Sequence, residues 1–139
     1  MINYVVIFCF SNDKKNVLLV QKNRPEWQKG KLNGIGGKIE DRENPESSVI
    51  REFKEETGVD IIHPILFVVI NSPDLERMIY FFYIIDDNAM QNYQTITDEK
   101  IIKIPTKYLY KFNILYNLNW LIPLALDPNV KSFMNVISL

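Results

Sequence analysis

Residues 37–59 read GKIEDRENPESSVIREFKEETGV, running from Gly37 to Val59. Five residues separate Gly37 from Glu43, and seven more lead to the run Arg51-Glu52-Phe53-x-Glu55-Glu56-x-Gly58-Val59. Glycine makes up about 7% of residues in average proteins and each charged type about 6%. Seven such fixed positions therefore match a given start with a probability of ~10⁻⁹ to 10⁻⁸. A chain of 139 residues offers too few starts for coincidence to explain the pattern.

Local chemistry predicts what the stretch builds. Asn44 followed by Pro45 opens a helix, because Asn is a favoured N-cap and Pro suits the first helical position. Gly58 closes it in the left-handed C-terminal position. Between them Val49, Ile50 and Phe53 share a face, and Glu52, Glu55 and Glu56 share another, since offsets of three and four are neighbours on a helix. One side is expected to pack into a core while the other brings three carboxylates to one volume. A bare cluster of acids is ordinarily a solvated face, here with Arg51 and Lys54 offsetting the charge. A fixed pattern bracketed by glycines points instead to a hard-cation site, because Mg²⁺ takes oxygen ligands and completes its shell with water and phosphates.

The pattern G-x5-E-x7-R-E-U-x-E-E-x-G-U, with U a bulky apolar residue, resembles the signature of the Nudix hydrolases, and every fixed position is present. The strict resemblance covers 23 of 139 residues and, more loosely, the whole chain. It implies an α+β fold, the Nudix α/β/α sandwich. In that fold a mixed central sheet carries the signature helix on one side and a C-terminal helix on the other. Residues 1–139 are expected to form a single Nudix domain.

Composition agrees. The chain is 47% hydrophobic, enough for a real core, and its net charge of −1 provides no field for duplex nucleic acid or an anionic membrane. Its single cysteine, Cys9, excludes an internal disulfide framework and reads as a small buried strand residue, which suits a cytoplasmic protein. Residues 2–10 are apolar but lack a basic leader and run straight into polar residues, so no signal peptide is expected. No apolar run approaches a membrane span.

Taken in order, Tyr4–Phe10 and Val17–Gln21 read as a hairpin joined by Ser11–Asn16, and Leu32 to Ile39 as a short strand or strand pair. After the helix, Ile61–Ile70 and Arg77–Ile85 read as strands joined around Pro73, Asp86–Thr97 as a surface loop, and Lys100–Ile104 as a brief strand. Asn113–Leu126 reads as an amphipathic helix that Pro123 kinks or ends, and Lys131–Leu139 as a tail without assigned structure. His63, before Pro64 in an apolar strand, is read as structural. Tyr116 and Trp120, on the second helix, are read as core residues at helical spacing, with a place in the wall of a ligand pocket as the alternative.

The resemblance also implies roles. Glu52 and Glu56 would be ligands of Mg²⁺ or Mn²⁺, Glu55 a ligand or the water-orienting base, and the Gly36 carbonyl a further oxygen. Arg51 would orient a carboxylate, with Glu43 bracing it or the metal shell; Gly37 and Gly58 would be conformational. Glu99, or its neighbour Asp98, corresponds to a late carboxylate that some relatives use as ligand or base. Arg24 and Lys38 match positions that are basic in MutT-like members and are candidates for phosphate contact. Lys22, Lys29 and Lys31 are read as solvated loop charges, and Trp27 as a base-stacking residue or a seal of the core edge. The run Leu32-Asn33-Gly34-Ile35-Gly36-Gly37-Lys38 resembles the WNGxGGK run of oxidised-purine triphosphatases, with Leu32 replacing the tryptophan. Asn33 would there read a purine edge.

The expected activity is metal-dependent hydrolysis of a small nucleotide, a nucleoside diphosphate linked to another group. An oxidised nucleoside triphosphate such as 8-oxo-dGTP, cleaved to monophosphate and pyrophosphate, is the leading substrate. ADP-ribose or nucleotide sugars, faintly suggested by Ser72-Pro73, are the alternative within the family, although those enzymes usually carry an extra N-terminal segment. Dinucleoside polyphosphates and capped RNA stay open. A non-catalytic nucleotide-binding module is the alternative of another class. Such modules typically lose a helix glutamate, and Glu52, Glu55 and Glu56 are all present. The protein is expected to act as a monomer or homodimer.

Overall fold

Strand β1, Ile2–Phe10, is the axis of the molecule. Its odd residues Val5, Ile7 and Cys9 join one buried cluster, and its even residues Phe8 and Phe10 join another. A strand buried on both faces reads as an unbroken apolar run rather than an alternation, which is how this segment appears in the sequence. The computed structural model describes residues 1–130 and 134–137. The expected tail over 131–139 therefore lies in part outside the described residues. Met134–Ile137 form strand β8, parallel to β5 (Ile65–Ser72).

The expected hairpin between β1 and β2 (Asn16–Gln21) forms only at its tip, where Cys9 and Phe10 pair with Leu18 and Val17. The two strands then diverge. β4, Ile35–Lys38, takes the first half of β1 as an antiparallel partner, and β7, Ile101–Pro105, takes β2. The two-residue β3, Leu32–Asn33, closes onto the end of β2. On its other side β1 runs parallel to β6, Arg77–Ile85, over all nine residues, and β6 pairs antiparallel with β5. The result is an eight-stranded mixed sheet.

Helix α1, Pro45–Thr57, begins as expected. The Asn44 side chain accepts a hydrogen bond from Ser47 N at 2.7 Å, Ser47 Oγ accepts one from Asn44 N, and Pro45 occupies the first turn. Gly58 ends the helix at φ +78°, donating its N–H to the Lys54 carbonyl. Val49 and Phe53, both without solvent exposure, press onto the odd face of β1. On the opposite face Leu118, Leu121 and Ile122 of α3, Leu118–Leu126, pack with Phe8 and Phe10. The two helices sandwich the sheet.

Five expectations are corrected. The Asp86–Thr97 segment contains a helix, α2 (Asp87–Asn92), capped by Asp86, whose side chain accepts a hydrogen bond from Ala89 N; Ala89 and Met90 are buried beside α1. Six residues are too few to show a helical period. The strand after α1 starts at Ile65, not Ile61, because His63 is left-handed at φ +55° and Pro64 follows it. His63 is exposed rather than in a strand. The last helix starts at Leu118, not Asn113, because Asn113 and Leu115 are hydrogen-bonded by backbone to Leu32. Tyr116 consequently stands 82% exposed and Trp120 38%, so neither is a core residue. Among the described residues no helix is long and apolar enough to cross a membrane.

Candidate functional site

Arg51 is the hub of the acidic face. Its Nε donates to Glu43 Oε2 at 2.7 Å and its Nη2 to Glu43 Oε1 at 3.0 Å, a bidentate pair that planar guanidinium geometry favours. Nη1 reaches Glu52 Oε1 at 3.0 Å and both Glu55 oxygens at 3.1–3.2 Å, while Nη2 also donates to the Lys38 carbonyl. One side chain thereby ties the loop before α1, two of its glutamates and the end of β4. The pairing with Arg51 holds the Glu43 carboxyl down at about 2, with its hydrogen bond from the Glu40 N–H adding to the effect.

Glu56 belongs to this cluster in sequence but not in contacts. It is buried, and its Oε2 has no hydrogen-bond partner. Burial pushes its carboxyl up to about 7, with Glu52, Glu99 and Glu55 repelling in the same direction and Lys22 opposing. Glu52 is raised as well, again by burial first. The three helix acids are thus held close but turned apart: two toward Arg51 and one inward. Among the described residues no three acids close on one point. In this geometry Arg51 supplies the positive charge that lets neighbouring carboxylates coexist.

The glycines are explained by contact. A Cβ on Gly37 would stand 2.4–2.7 Å from the Glu52 carboxylate, so Glu52 rests on the bare backbone of β4. A Cβ on Gly36 would lie 1.8 Å from the Val5 carbonyl oxygen, so β4 can approach β1 there only without a side chain. Gly58 serves the helix end, as expected.

A cleft of about 370 Å³ opens beside these glycines, in the range of small-ligand sites. It is lined by Gly36, Gly37, Asn33, Gln28, Trp27 and Lys22, with Tyr4 and Arg77 on the sheet. Asn33 Oδ1 accepts from Gly34 N at 2.8 Å and Asn33 Nδ2 donates to Gln28 Oε1 at 3.4 Å, so the amide is positioned in the wall. Trp27, 60% exposed, stands at the rim and does not seal the core. Gly37 and Lys22 connect the cleft to the acids: Glu52 lies against one, and Glu56 feels the charge of the other.

Lys22 is the residue that the sequence reading passed over. Its Nζ is 3.0 Å from Glu99 Oε1, with side chains only 17% and 6% exposed, so it is not a solvated loop charge. Its signal was parity: Leu18 and Val20 face α1, and Lys22 continues that alternation just beyond β2. Glu99 is buried, which by itself would raise its carboxyl. Hydrogen bonds from Asn23 N at 2.7 Å and Lys22 outweigh the burial and hold it below the usual range. Arg77 was likewise not singled out.

The two phosphate candidates lie elsewhere. Arg24, 62% exposed, is paired with Asp98, and Lys38 has an exposed side chain and does not line the cleft. Lys22 and Arg77 are the cations that the fold places along it.

Two variants test this geometry. Arg51→Lys cannot keep the bidentate hold on Glu43 while reaching Glu52 and Glu55, and is expected to weaken metal affinity or turnover by about 10–100-fold. Titration with Mn²⁺ and a steady-state assay measure it. Gly37→Ala meets only the movable end of Glu52, so it should displace that carboxylate and reduce activity while circular dichroism stays unchanged.

The family model for the NUDIX domain matches residues 2–104. The chain is 32% identical over 99 residues to a protein of Bacillus subtilis named as the uncharacterized Nudix hydrolase YvcI, covering 67% of this chain and 60% of that one. It is 34% identical over 71 residues to an 8-oxo-dGTP diphosphatase of Proteus vulgaris, covering 50% and 63%. It therefore spans about three fifths of the length of the curated relatives it matches. Two solved structures share the fold: a MutT protein of Bacillus halodurans, and the NUDIX domain of Shewanella oneidensis NrtR complexed with ADP ribose. The first superposes with TM-score 0.73 at 18% identity, covering 99% of this chain and 88% of that one. The second gives 0.67 at 22%, covering 87% and 83%. At such identity these two likenesses speak for the architecture alone. Together with the unbroken Gly37–Val59 pattern and the clustered acids behind Gly37, the family match over more than half of the chain assigns the protein: it belongs to the Nudix family.

Proposed function

We propose that the chain is a divalent-cation-dependent pyrophosphohydrolase acting on a nucleoside diphosphate linked to a further group, with a nucleoside triphosphate as its leading substrate. The observation that carries the reading is the unpaired, buried Oε2 of Glu56 behind a nucleotide-sized cleft. An orphaned carboxylate oxygen in a desolvated place asks for a cation, and a carboxylate set with no histidine or thiol suits Mg²⁺ or Mn²⁺.

Glu52 and Glu56 would hold the cation, with Glu55 and the Gly36 carbonyl as further oxygens. Bound there, such an ion offsets phosphate charge and acidifies a coordinated water. The chain's own residues do the rest. Arg51 orients Glu52 and Glu55. Glu99 fixes the Lys22 ammonium, which offers positive charge to phosphate oxygens entering the cleft, and its carboxylate stands near Glu56 as a further ligand or proton acceptor. Asn33 and Gln28 present amide groups to a base, and Trp27 offers it a ring at the rim. The resemblance to an 8-oxo-dGTP diphosphatase supports the triphosphate reading.

A panel of oxidised and normal nucleoside triphosphates, ADP-ribose and dinucleoside polyphosphates, each with Mg²⁺ and Mn²⁺, tests it. Release of pyrophosphate from a triphosphate is the expected result. Turnover of ADP-ribose alone would move the substrate to the other branch of the family. Binding without turnover across the panel would make the chain a nucleotide-binding module instead.

A further inference from the structure

Residues 100–126 contain four lysines, five aromatic residues and no aspartate or glutamate, so the chain's net charge of −1 conceals a wholly basic segment. The turn Thr106–Lys111 displays the densest part of it. Lys111 Nζ lies 4.8 Å from the ring centre of Tyr108 and 5.9 Å from that of Tyr110, and Lys107 Nζ lies 5.0 Å from Tyr108. Tyr110 is 73% exposed, and among the described residues neither lysine pairs with a carboxylate. Thr106 is hydrogen-bonded to the carbonyls of Lys14 and Lys15, which brings two more cations alongside.

We propose that this strip of Lys107, Tyr108, Tyr110 and Lys111, flanked by Lys14 and Lys15, binds single-stranded polynucleotide, the ammonium groups taking phosphates and the tyrosine rings taking bases. The partner follows from the mixture. Protein interfaces are enriched in tyrosine but depleted in lysine. A strand supplies both a phosphate for each lysine and a flat base for each ring. The cation–π contacts do not block it: at an exposed site they shift an equilibrium by about 2–5-fold. A base stacked on an aromatic ring shifts it by about 5- to 150-fold. Duplex, whose bases are already stacked, gains nothing from the rings. The strip also leads toward the cleft, because Asn113 and Leu115 are hydrogen-bonded to Leu32, next to Asn33.

The test is fluorescence anisotropy with a labelled ten-nucleotide oligouridylate in EDTA, where no metal-dependent turnover occurs, so its result is separate from the hydrolase reading. Binding is expected at 50 mM salt, falling with salt at about 0.7 logarithmic units for each phosphate contacted. K107E/K111E is expected to lose at least about tenfold, and Y108A/Y110A about 5- to 150-fold, with circular dichroism and nucleotide hydrolysis unchanged. Undetectable binding by the wild type overturns the proposal. So does unchanged affinity in Y108A/Y110A, or equal competition by inorganic polyphosphate, either of which reduces the strip to a bare polyanion contact. Preferential binding to vesicles of phosphatidylcholine and phosphatidylserine would assign it to a membrane surface instead. Should a variant fail to fold, the polyphosphate competition with wild-type protein still decides.

Discussion

Replacing Glu56 by glutamine is expected to lower kcat by ~10³-fold or more while the protein stays folded. The magnitude follows from what the carboxylate would hold in place: a cation's stabilisation of developing phosphate charge amounts to several kcal/mol, and each 1.36 kcal/mol is tenfold in rate. The same substitution carries a second, opposite signature in metal-free protein. The Glu56 carboxyl sits at about 7 in the folded chain against an ordinary 4.5, chiefly because burial disfavours its charge. A carboxyl raised on folding costs nothing below pH 4.5. Its penalty grows as pH climbs through that window and is complete above about 7, where it amounts to about 3 kcal/mol. Metal-free Glu56→Gln should therefore melt several degrees above wild type at pH 8, and the gain should vanish near pH 4.5. Thermal melts in EDTA at both pH values, set beside a Mg²⁺-dependent assay, check the pair. Near-wild-type turnover would remove Glu56 from the metal site; equal melting temperatures at pH 8 would show that its burial carries no strain.

The second large effect is on the fold. Gly36→Ala would place a methyl group 1.8 Å from the Val5 carbonyl oxygen, and both partners are backbone. Neither can swing aside, since Val5 lies in the strand that β6 and β4 grip from both sides. A loss of about 3 kcal/mol or more is expected, at the upper end of overpacking costs. A urea midpoint or soluble yield reads it directly, and a wild-type midpoint would refute the close approach. The contrast with Gly37→Ala is the informative part. One residue further on, the obstacle is a side-chain carboxylate, so chemistry suffers and stability does not.

Much of the site was legible because its signals are local. Asn44, Pro45 and Gly58 set the ends of α1 by short-range hydrogen bonds, and helical periodicity put Val49 and Phe53 on the core side and Glu52 and Glu55 off it, whereas Glu56, seven residues after Val49, is buried on the core side rather than with the other two acids. The pattern Gly37–Val59 then fixed the family, and with it the arrangement of sheet and helices. What escaped the sequence reading was long-range. The α2 helix spans six residues, too short for a period. Asn113–Asn117 have helical neighbours in sequence, but Asn113 and Leu115 are claimed by Leu32, more than eighty residues earlier.

The sequence by itself determined the signature helix, its caps and the identity of its acids, because those depend on residues within one or two turns of each other. Only the tertiary structure decided which cations stand in the cleft and which acid is left without a partner. Lys22 and Glu99 are brought together by the pairing of β2 with β7, and Glu56 is buried near both. Charge and burial in such a place are set by neighbours that no local pattern names.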